Sequence, residues 1–426
     1  MLRETTFALK GNILYAPTPK EIVTAPDSYL VCEAGKVAGV FAELPARFAG
    51  IPIEDCGDGL VIPGLVDLHL HAPQYSFRTL GMDLELLDWL NTHTFPEEAK
   101  YVDLAYAERA YRIFADDLAA SATTRAAVFG TIHRPATELL MDLVEETGVR
   151  ALVGKVNMDR NSPDILREED AAASLAETTR WIEETKGKYR NVSPILTPRF
   201  TPSCTDELME GLGKLQRETG LPVQSHLSEN LSEIAWVKEL CPWSSCYGGA
   251  YDRFGLFGGD APTIMAHCVH STGEEIDLMQ ARGVFIAHCA QSNTNLASGI
   301  APVRVYLDRG MKVGLGTDIA GGYSLSVFQA MADAVQVSKL RWRLLDDSLR
   351  PLTVPEAFYL GTKGGGEFFG KVGSFEEGYE FDAVLLDDGA LPHPQELSPQ
   401  ERLERMIYLG GERCVRGKYV AGARVR

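Results

Sequence analysis

The sequence lacks any apolar run of about 18 residues, the length that a membrane-spanning helix requires. Its first residues, MLRETTFALKGNILYAP, lack the charged-then-apolar layout of a secretory leader. Basic residues are scarce: 41 lysines and arginines stand against 59 aspartates and glutamates, a net charge of −18. A nucleic-acid partner needs a basic face, so this balance argues against one, and equally against an anionic membrane surface. A small neutral substrate stays open. A disulfide framework is missing as well. The eight cysteines (Cys32, Cys56, Cys204, Cys241, Cys246, Cys268, Cys289 and Cys414) are scattered, and Cys241 and Cys246 have no second close pair with which to form a cysteine-type zinc site. Free thiols fit a reducing compartment, so a cytoplasmic location is expected.

What is present is a long alternation. With 426 residues, 45% of them hydrophobic, the chain has the size of one large α/β barrel plus an accessory domain. Apolar stretches at 61–70, 123–132, 150–158, 192–200, 221–227, 262–269, 283–289 and 312–319 read as strands. Helix-period stretches follow or separate them at 104–120, 136–147, 167–186, 204–219, 231–240, 272–282, 302–309 and 325–343. Ser271-Thr-Gly-Glu274 and Thr353-Val-Pro-Glu356 read as capping boxes opening helices. Eight βα units in series predict a (β/α)8 TIM barrel over residues 63–371, with its chemistry at the C-terminal ends of the strands. Residues 1–62 read as short strands, with a hairpin at Glu33-Ala-Gly-Lys36. FDAVLLDD (381–388), RMIYLGG (405–411) and RCVRGKYVAGARVR (413–426) offer further strands. Residues 1–62 and 372–426 together are predicted to form a small β-sandwich domain. The 72–103 connection, with Tyr75, Phe77, Trp89 and Phe95, is long for a βα loop and suits a lid or pocket wall.

The chain turns on VIPGLVDLHLHAPQ, 61–74. His69 and His71 stand two apart at the end of a strand, so both imidazoles aim into one space, and a pair of neutral imidazoles can bind a divalent metal. An isolated His-x-His is satisfied equally well by two ordinary histidines on a half-buried strand. Further groups at other strand ends favour the metal. His226 ends strand five in PVQSHLSEN, with Glu229 three residues on, placed as a proton shuttle. His267 ends strand six in TIMAHC. Asp318 ends strand eight in VGLGTDIAGG, where a buried carboxylate needs a counter-charge. His133 and His288 also end strands and could line the mouth. His93 and His393 fall in loops, and His270 faces helix or solvent.

PGLVDLHLHAPQYSF, KVNMD, ILTPRFTPSCTDELMEGLG, VQSHLSEN, IMAHC, IAHCAQSN and VGLGTDIAGGYSLS resemble the guanine deaminases of the amidohydrolase superfamily. One departure is visible: Ala290 follows Cys289, where related deaminases have proline. The resemblance implies one Zn2+ per chain held by His69, His71, His226 and Asp318, with His267 holding the metal's water, Glu229 carrying protons and Asp318 accepting one. It implies base contacts from Gln74, Arg199 and Phe200, with guanine as the small-molecule substrate, xanthine and ammonia as products, and a homodimer. Phe200 suits a stacking wall. Arg199, with donors only, suits an acceptor such as the 6-oxo group, although an ion pair beside a core aromatic accounts for the same Arg-Phe pair. Three other readings compete. Related barrels deaminate other purines, pterins or triazines. A dinuclear ring-opening hydrolase needs a lysine ending strand four, and ILTPRFT has none. A non-catalytic scaffold would have an incomplete ligand set, and here the set is complete.

Overall fold

A computed structural model describes residues 6–426. Four parallel strands, Leu65–His71, Thr123–Phe129, Arg150–Gly154 and Val192–Pro194, pair in chain order. Val223–Leu227, Thr263–His267, Phe285–His288 and Lys312–Leu315 do the same. Each half is a βα alternation, as the periodicity predicts. The two sets are joined on one side by a parallel bridge between Leu196 and Val223. On the other side the Asp318 amide donates to the His69 carbonyl (2.8 Å) and the His71 amide to the Ile319 carbonyl (2.9 Å). Val66, Leu68, Ala127, Ile264, Ala266, Phe285 and Ala287 form one buried cluster, so residues of the first, second, sixth and seventh strands share an interior.

Several boundaries shift for local reasons. The predicted strand 192–200 is split into Val192–Pro194 and Thr197–Pro198, because proline cannot donate to a ladder. Helix 272–282 is capped by Thr272 rather than Ser271: the Thr272 hydroxyl accepts from the Glu275 amide. The Thr353–Glu356 capping box forms as predicted. RMIYLGG is not a strand. Ser398 and Glu401 form a capping box, a proline stands in the first turn, and Leu403, Met406 and Ile407 bury one face of a helix, Pro399–Leu409. The 72–103 connection is a series of short helical turns, among them Ala72–Phe77, Leu86–Trp89 and Phe95–Glu98.

Strands from the two ends of the chain do combine. Phe7–Thr18, Glu21–Glu33, Lys36–Phe41 and Ile53–Pro63 join Ala383–Leu386, Val415–Val420 and Ala423–Arg424. Glu33 pairs with Lys36 across the predicted hairpin. Among the described residues these seven strands hydrogen-bond in one continuous order, and the sheet curls so that Phe7 of the first strand stacks on Tyr419 of Val415–Val420, ring centroids 5.2 Å apart, although two strands lie between them in that order. Ile53–Pro63 pairs with Phe7–Thr18 on one side and Ala383–Leu386 on the other, which joins the two groups edge to edge.

Buried charges fasten this sheet to the parallel strands. Arg125, on the second parallel strand, donates to Asp382 through Nε (2.6 Å) and Nη2 (2.9 Å) and to Glu380 (2.6 Å). The Lys418 ammonium donates to the carbonyls of Leu118, Ser121 and Thr123 at 3.2, 2.9 and 3.1 Å, one acceptor for each of its protons. Removing one partner of a buried ion pair leaves the other uncompensated. Arg125→Met is therefore expected to destabilise the protein by about 3–5 kcal/mol, read as a lower urea midpoint. An unchanged midpoint would show that the pair is not what fastens the sheet.

Candidate active site

His69 and His71 both point into the space at the end of the first strand, with their Nε2 atoms 3.2 Å apart. Nε2 of His226, from the fifth strand, lies 3.2 Å from that of His71. Asp318 Oδ1 lies 3.2 Å from His69 Nε2 and 3.4 Å from His71 Nε2. Reaching this point bends the backbone at the strand ends: Ser228, His267 and Asp318 have φ of 47°, 74° and 47°. Non-glycine residues seldom hold such values except where the surroundings over-determine them, often at functional sites. Gly316 permits the close approach of the last strand to the first, since a Cβ there would meet His69 Cβ and Cys289 Sγ, each at 2.9 Å.

The imidazoles are prepared as ligands. Burial holds His71 and His226 well below the usual histidine range and lowers His69, so these rings are neutral. His226 Nδ1 donates to the Arg199 carbonyl (2.6 Å), which fixes its tautomer and leaves Nε2 with a free lone pair. Phe129, ending the second strand, packs against His69, His71 and His226, at centroid separations of 5.0, 4.5 and 5.0 Å. Asp67 accepts from the Thr317 hydroxyl (2.5 Å), the Thr317 amide (3.0 Å) and the His69 amide (3.2 Å), tying the first strand to the loop that carries Asp318. Unshared pairs facing one another at 3.2 Å repel unless a cation lies between them. Separations of 3.2–3.4 Å match the edges, about 3.3 Å, of a tetrahedron of nitrogen and oxygen ligands around zinc. The donor set therefore fits a divalent metal.

His267 and Glu229 stand beside this cluster. His267 Nε2 is 3.4 Å from Glu229 Oε2 and 3.7 Å from Asp318 Oδ2, and its Nδ1 is 2.8 Å from Asn293 Oδ1. Burial opposes its protonation, but the Glu229 and Asp318 carboxylates outweigh that and raise it. Glu229 is pushed up to about 7, chiefly by burial, with Glu233 and Asp318 adding and His267 opposing; Ser298 Oγ donates to it at 2.9 Å. Asp318 is held far below the usual carboxylate range, because the neighbouring imidazoles, led by His69, overcome its burial.

A pocket of about 430 Å³ opens onto these groups. His71, Gln74, Arg199, Phe200, His226, Glu229, His267 and Asp318 line it, so eight of the nine residues singled out from the sequence meet in one cavity. His69 lies just behind, fully buried. Leu86, Trp89 and Leu90 line it as well, so the 72–103 segment is a pocket wall, as its length and aromatics predict; Leu296 has no local signature that marks it for this pocket. Glu98 was missed too. Arg199 is not simply free to meet an oxo group, because its Nη1 and Nη2 donate to the Glu98 carboxylate at 2.6 and 3.1 Å, over the ring of Phe95. This is the ion pair beside an aromatic that the sequence left open. His133 and His288 do not line the pocket. His288 faces outward into a separate cavity with Val303 and Ala334, and His133 lies in a surface groove beside Ile132.

The amidohydrolase family profile matches residues 60–425. Guanine deaminase from Rattus norvegicus is 40% identical, over 99% of this chain and 97% of its own. The Escherichia coli K12 enzyme of that name is 35% identical, over 95% and 93%. Among solved structures, guanine deaminase from C. acetobutylicum, crystallised with bound guanine in its active site, superposes with a TM-score of 0.96 at 49% identity, covering 99% of this chain and 100% of that one. The chain belongs to the guanine deaminases of the amidohydrolase family. An α/β TIM-barrel fold follows from that membership, and a guanine deaminase ligand cluster of this kind supports a metal cofactor.

His71→Ala and His226→Ala are each expected to lower bound divalent metal, measured by elemental analysis of the purified protein, to a small fraction of the wild-type content. Full metal retained by either variant would remove that histidine from the ligand set.

Proposed function

We propose that the protein hydrolyses guanine to xanthine and ammonia in a closed (β/α)8 barrel, residues 63–371, flanked by a small β domain from residues 1–62 and 372–426. What carries the reading is one pocket that joins a ligand cluster and a proton-carrying glutamate to the donors of Arg199 and Gln74. Strand pairing in chain order and the backbone bonds between the last and first strands support the closed barrel. The domain boundary is supported by the terminal sheet, which uses strands up to Pro63 and from Ala383 onward. The reading includes one Zn2+ per chain, held by His69, His71, His226 and Asp318, and a homodimer working in the cytoplasm. All eight cysteines are free, which fits a reducing compartment.

Zinc in such a set supplies hydroxide near neutral pH, by lowering the pKa of its water toward ~7. The chain's own groups do the rest. Phe200, Trp89 and the leucines provide apolar walls for a flat purine. Arg199 keeps N–H groups beyond the two bonded to Glu98 and points them, with Gln74, at acceptors on the base. His267, fixed through Asn293, orients the attacking water. Asp318, anionic before the attack, takes the proton that this water gives up. Glu229, pushed up to about 7, is matched to neutral pH for both giving and taking a proton. It protonates the ring nitrogen next to C2 as oxygen adds there, recovers a proton from the added hydroxyl and delivers it to the departing amine; the proton held by Asp318 then returns to Glu229. Water gained and ammonia lost convert guanine to xanthine.

Glu229→Gln keeps the shape and removes the titrating group. It is expected to retain metal and guanine binding while kcat falls by ~10²-fold or more; near-normal turnover would remove Glu229 as the proton carrier. Adenine presents an amine where guanine has its 6-oxo group, and a buried donor left unpaired costs ~1–3 kcal/mol, more when charged. Adenine is thus expected to be a very poor substrate. Arg199→Met is expected to lose most guanine turnover with metal still bound. Comparable ammonia release from adenine by the wild-type protein would overturn the base-recognition scheme.

A further inference from the structure

We infer that Glu98 is a positioning residue that sets base specificity: its carboxylate clamps Arg199 and orients the amide of Gln74, so that both side chains offer N–H donors to the ligand. The inference rests on the guanine reading above and deepens it.

Glu98 closes the short turn Phe95–Glu98 in the 72–103 segment. Its side chain is 2% exposed and that of Arg199 4%. A carboxylate at that depth is costly unless its oxygens are engaged, and both are. Oε2 accepts from Arg199 Nη1 (2.6 Å), while Oε1 accepts from Arg199 Nη2 (3.1 Å) and from Gln74 Nε2 (2.9 Å). The bidentate pair fixes the plane of the guanidinium. Phe95, from the same turn, lies 5.1 Å beneath it, so one turn supplies both the counter-charge and the platform.

The effect on Gln74 is equally specific. An amide can present either its oxygen or its nitrogen to a neighbour, and the local hydrogen bonds decide which. A carboxylate only accepts, so the Gln74 nitrogen must face Glu98. Its oxygen then turns toward the amide of Ala320, 3.4 Å away. One nitrogen proton is spent on Glu98 and the other is left for the pocket. Arg199 likewise keeps N–H groups beyond those held by Glu98. The wall therefore presents donors to a base rich in acceptors, such as an oxopurine, and mismatches a base that offers an amine there. Glutamine at position 98 could turn its own amide and would no longer dictate that of Gln74. Glu98 touches neither the ligand cluster nor the proton carriers, so its effect should fall on binding rather than on the chemical step.

The test compares the metal-loaded wild-type protein with Glu98→Gln. The variant is expected to keep its metal content, to melt at a lower temperature because the buried guanidinium loses its counter-charge, to hold kcat within about threefold, and to raise KM for guanine by at least ~10-fold, the pattern of lost uniform binding. Its binding preference for guanine over adenine, with adenine measured as a competitive inhibitor because it has no amine at C2, is expected to fall by a similar factor. Adding Gln74→Ala should cost much less in the Glu98→Gln background than in the wild type, because the two act as a unit. An unchanged KM and preference, or losses that merely track lost metal, would overturn the inference while wild-type guanine turnover left the functional reading intact. Wild-type protein releasing no ammonia from guanine would overturn that reading, and the inference with it. If Glu98→Gln does not fold, Glu98→Leu with Arg199→Met removes both charges together. This pair is expected to fold and to exceed Arg199→Met alone in KM by the part that Glu98 contributes through Gln74; a KM equal to that of Arg199→Met would overturn the inference.

Discussion

Three neutral imidazole nitrogens and one carboxylate oxygen crowd around His71, whose Nε2 lies 3.2 Å from those of His69 and His226 and 3.4 Å from Asp318, and the rest of the active site depends on that crowding. Neutral rings facing each other through lone pairs gain nothing from their proximity, so the arrangement is favourable only around a cation. To bring them together the first, fifth and eighth strands must end at one point. The backbone bonds between the eighth run and the first, the missing side chain at Gly316 and the left-handed residues Ser228, His267 and Asp318 all serve that convergence. The local strain is tolerable because it lies just beyond regular ladders, which fix each strand up to the point where it turns.

The pocket divides its charge by function. One side gathers Glu229, Glu233 and Asp318, and their mutual repulsion and burial lift Glu229 into the range where it can carry a proton both ways. The other side holds a guanidinium whose charge Glu98 already balances. Pairing it with Glu98 leaves directional N–H donors with little net charge, which suits recognition of a neutral base.

The sequence made the strand-borne half of the site legible, and for a physical reason. Strand periodicity fixes which way a side chain points, so His69, His71, His226, His267 and Asp318 could be assigned to strand ends and to one space. The same parity explains His288: it ends a strand, but Ile286 and His288 share the outward face while Cys289 turns inward, where it lies close to His267 and Asp318. Hairpin and capping signals located Glu33–Lys36 and Thr353–Glu356, while the Ser398–Glu401 box was overlooked because RMIYLGG is apolar enough to pass for a strand. The order of the terminal strands was not legible, since it depends on which distant strands Ile53–Pro63 meets on its two edges.

The 72–103 wall was legible as a segment, but Glu98 and the two leucines within it were not, for a further reason. They lie in irregular turns, where no period predicts orientation, and their partners are remote: Glu98 and Arg199 are 101 residues apart. Yet these residues shape the space in which a base must lie. The strands fix where a bond can be broken, and the 72–103 segment, together with the end of the fourth strand, fixes what is offered to that point. The two tasks rest on different parts of the chain. A change at Glu98 or Trp89 can therefore alter which ring is accepted without moving a ligand of the metal, whereas a change at Asp67 or Gly316 disturbs the centre itself through the first strand. That separation is what lets one set of strand ends serve different amines: chemistry is anchored in the regular ladder, and recognition in the segment that has no ladder of its own.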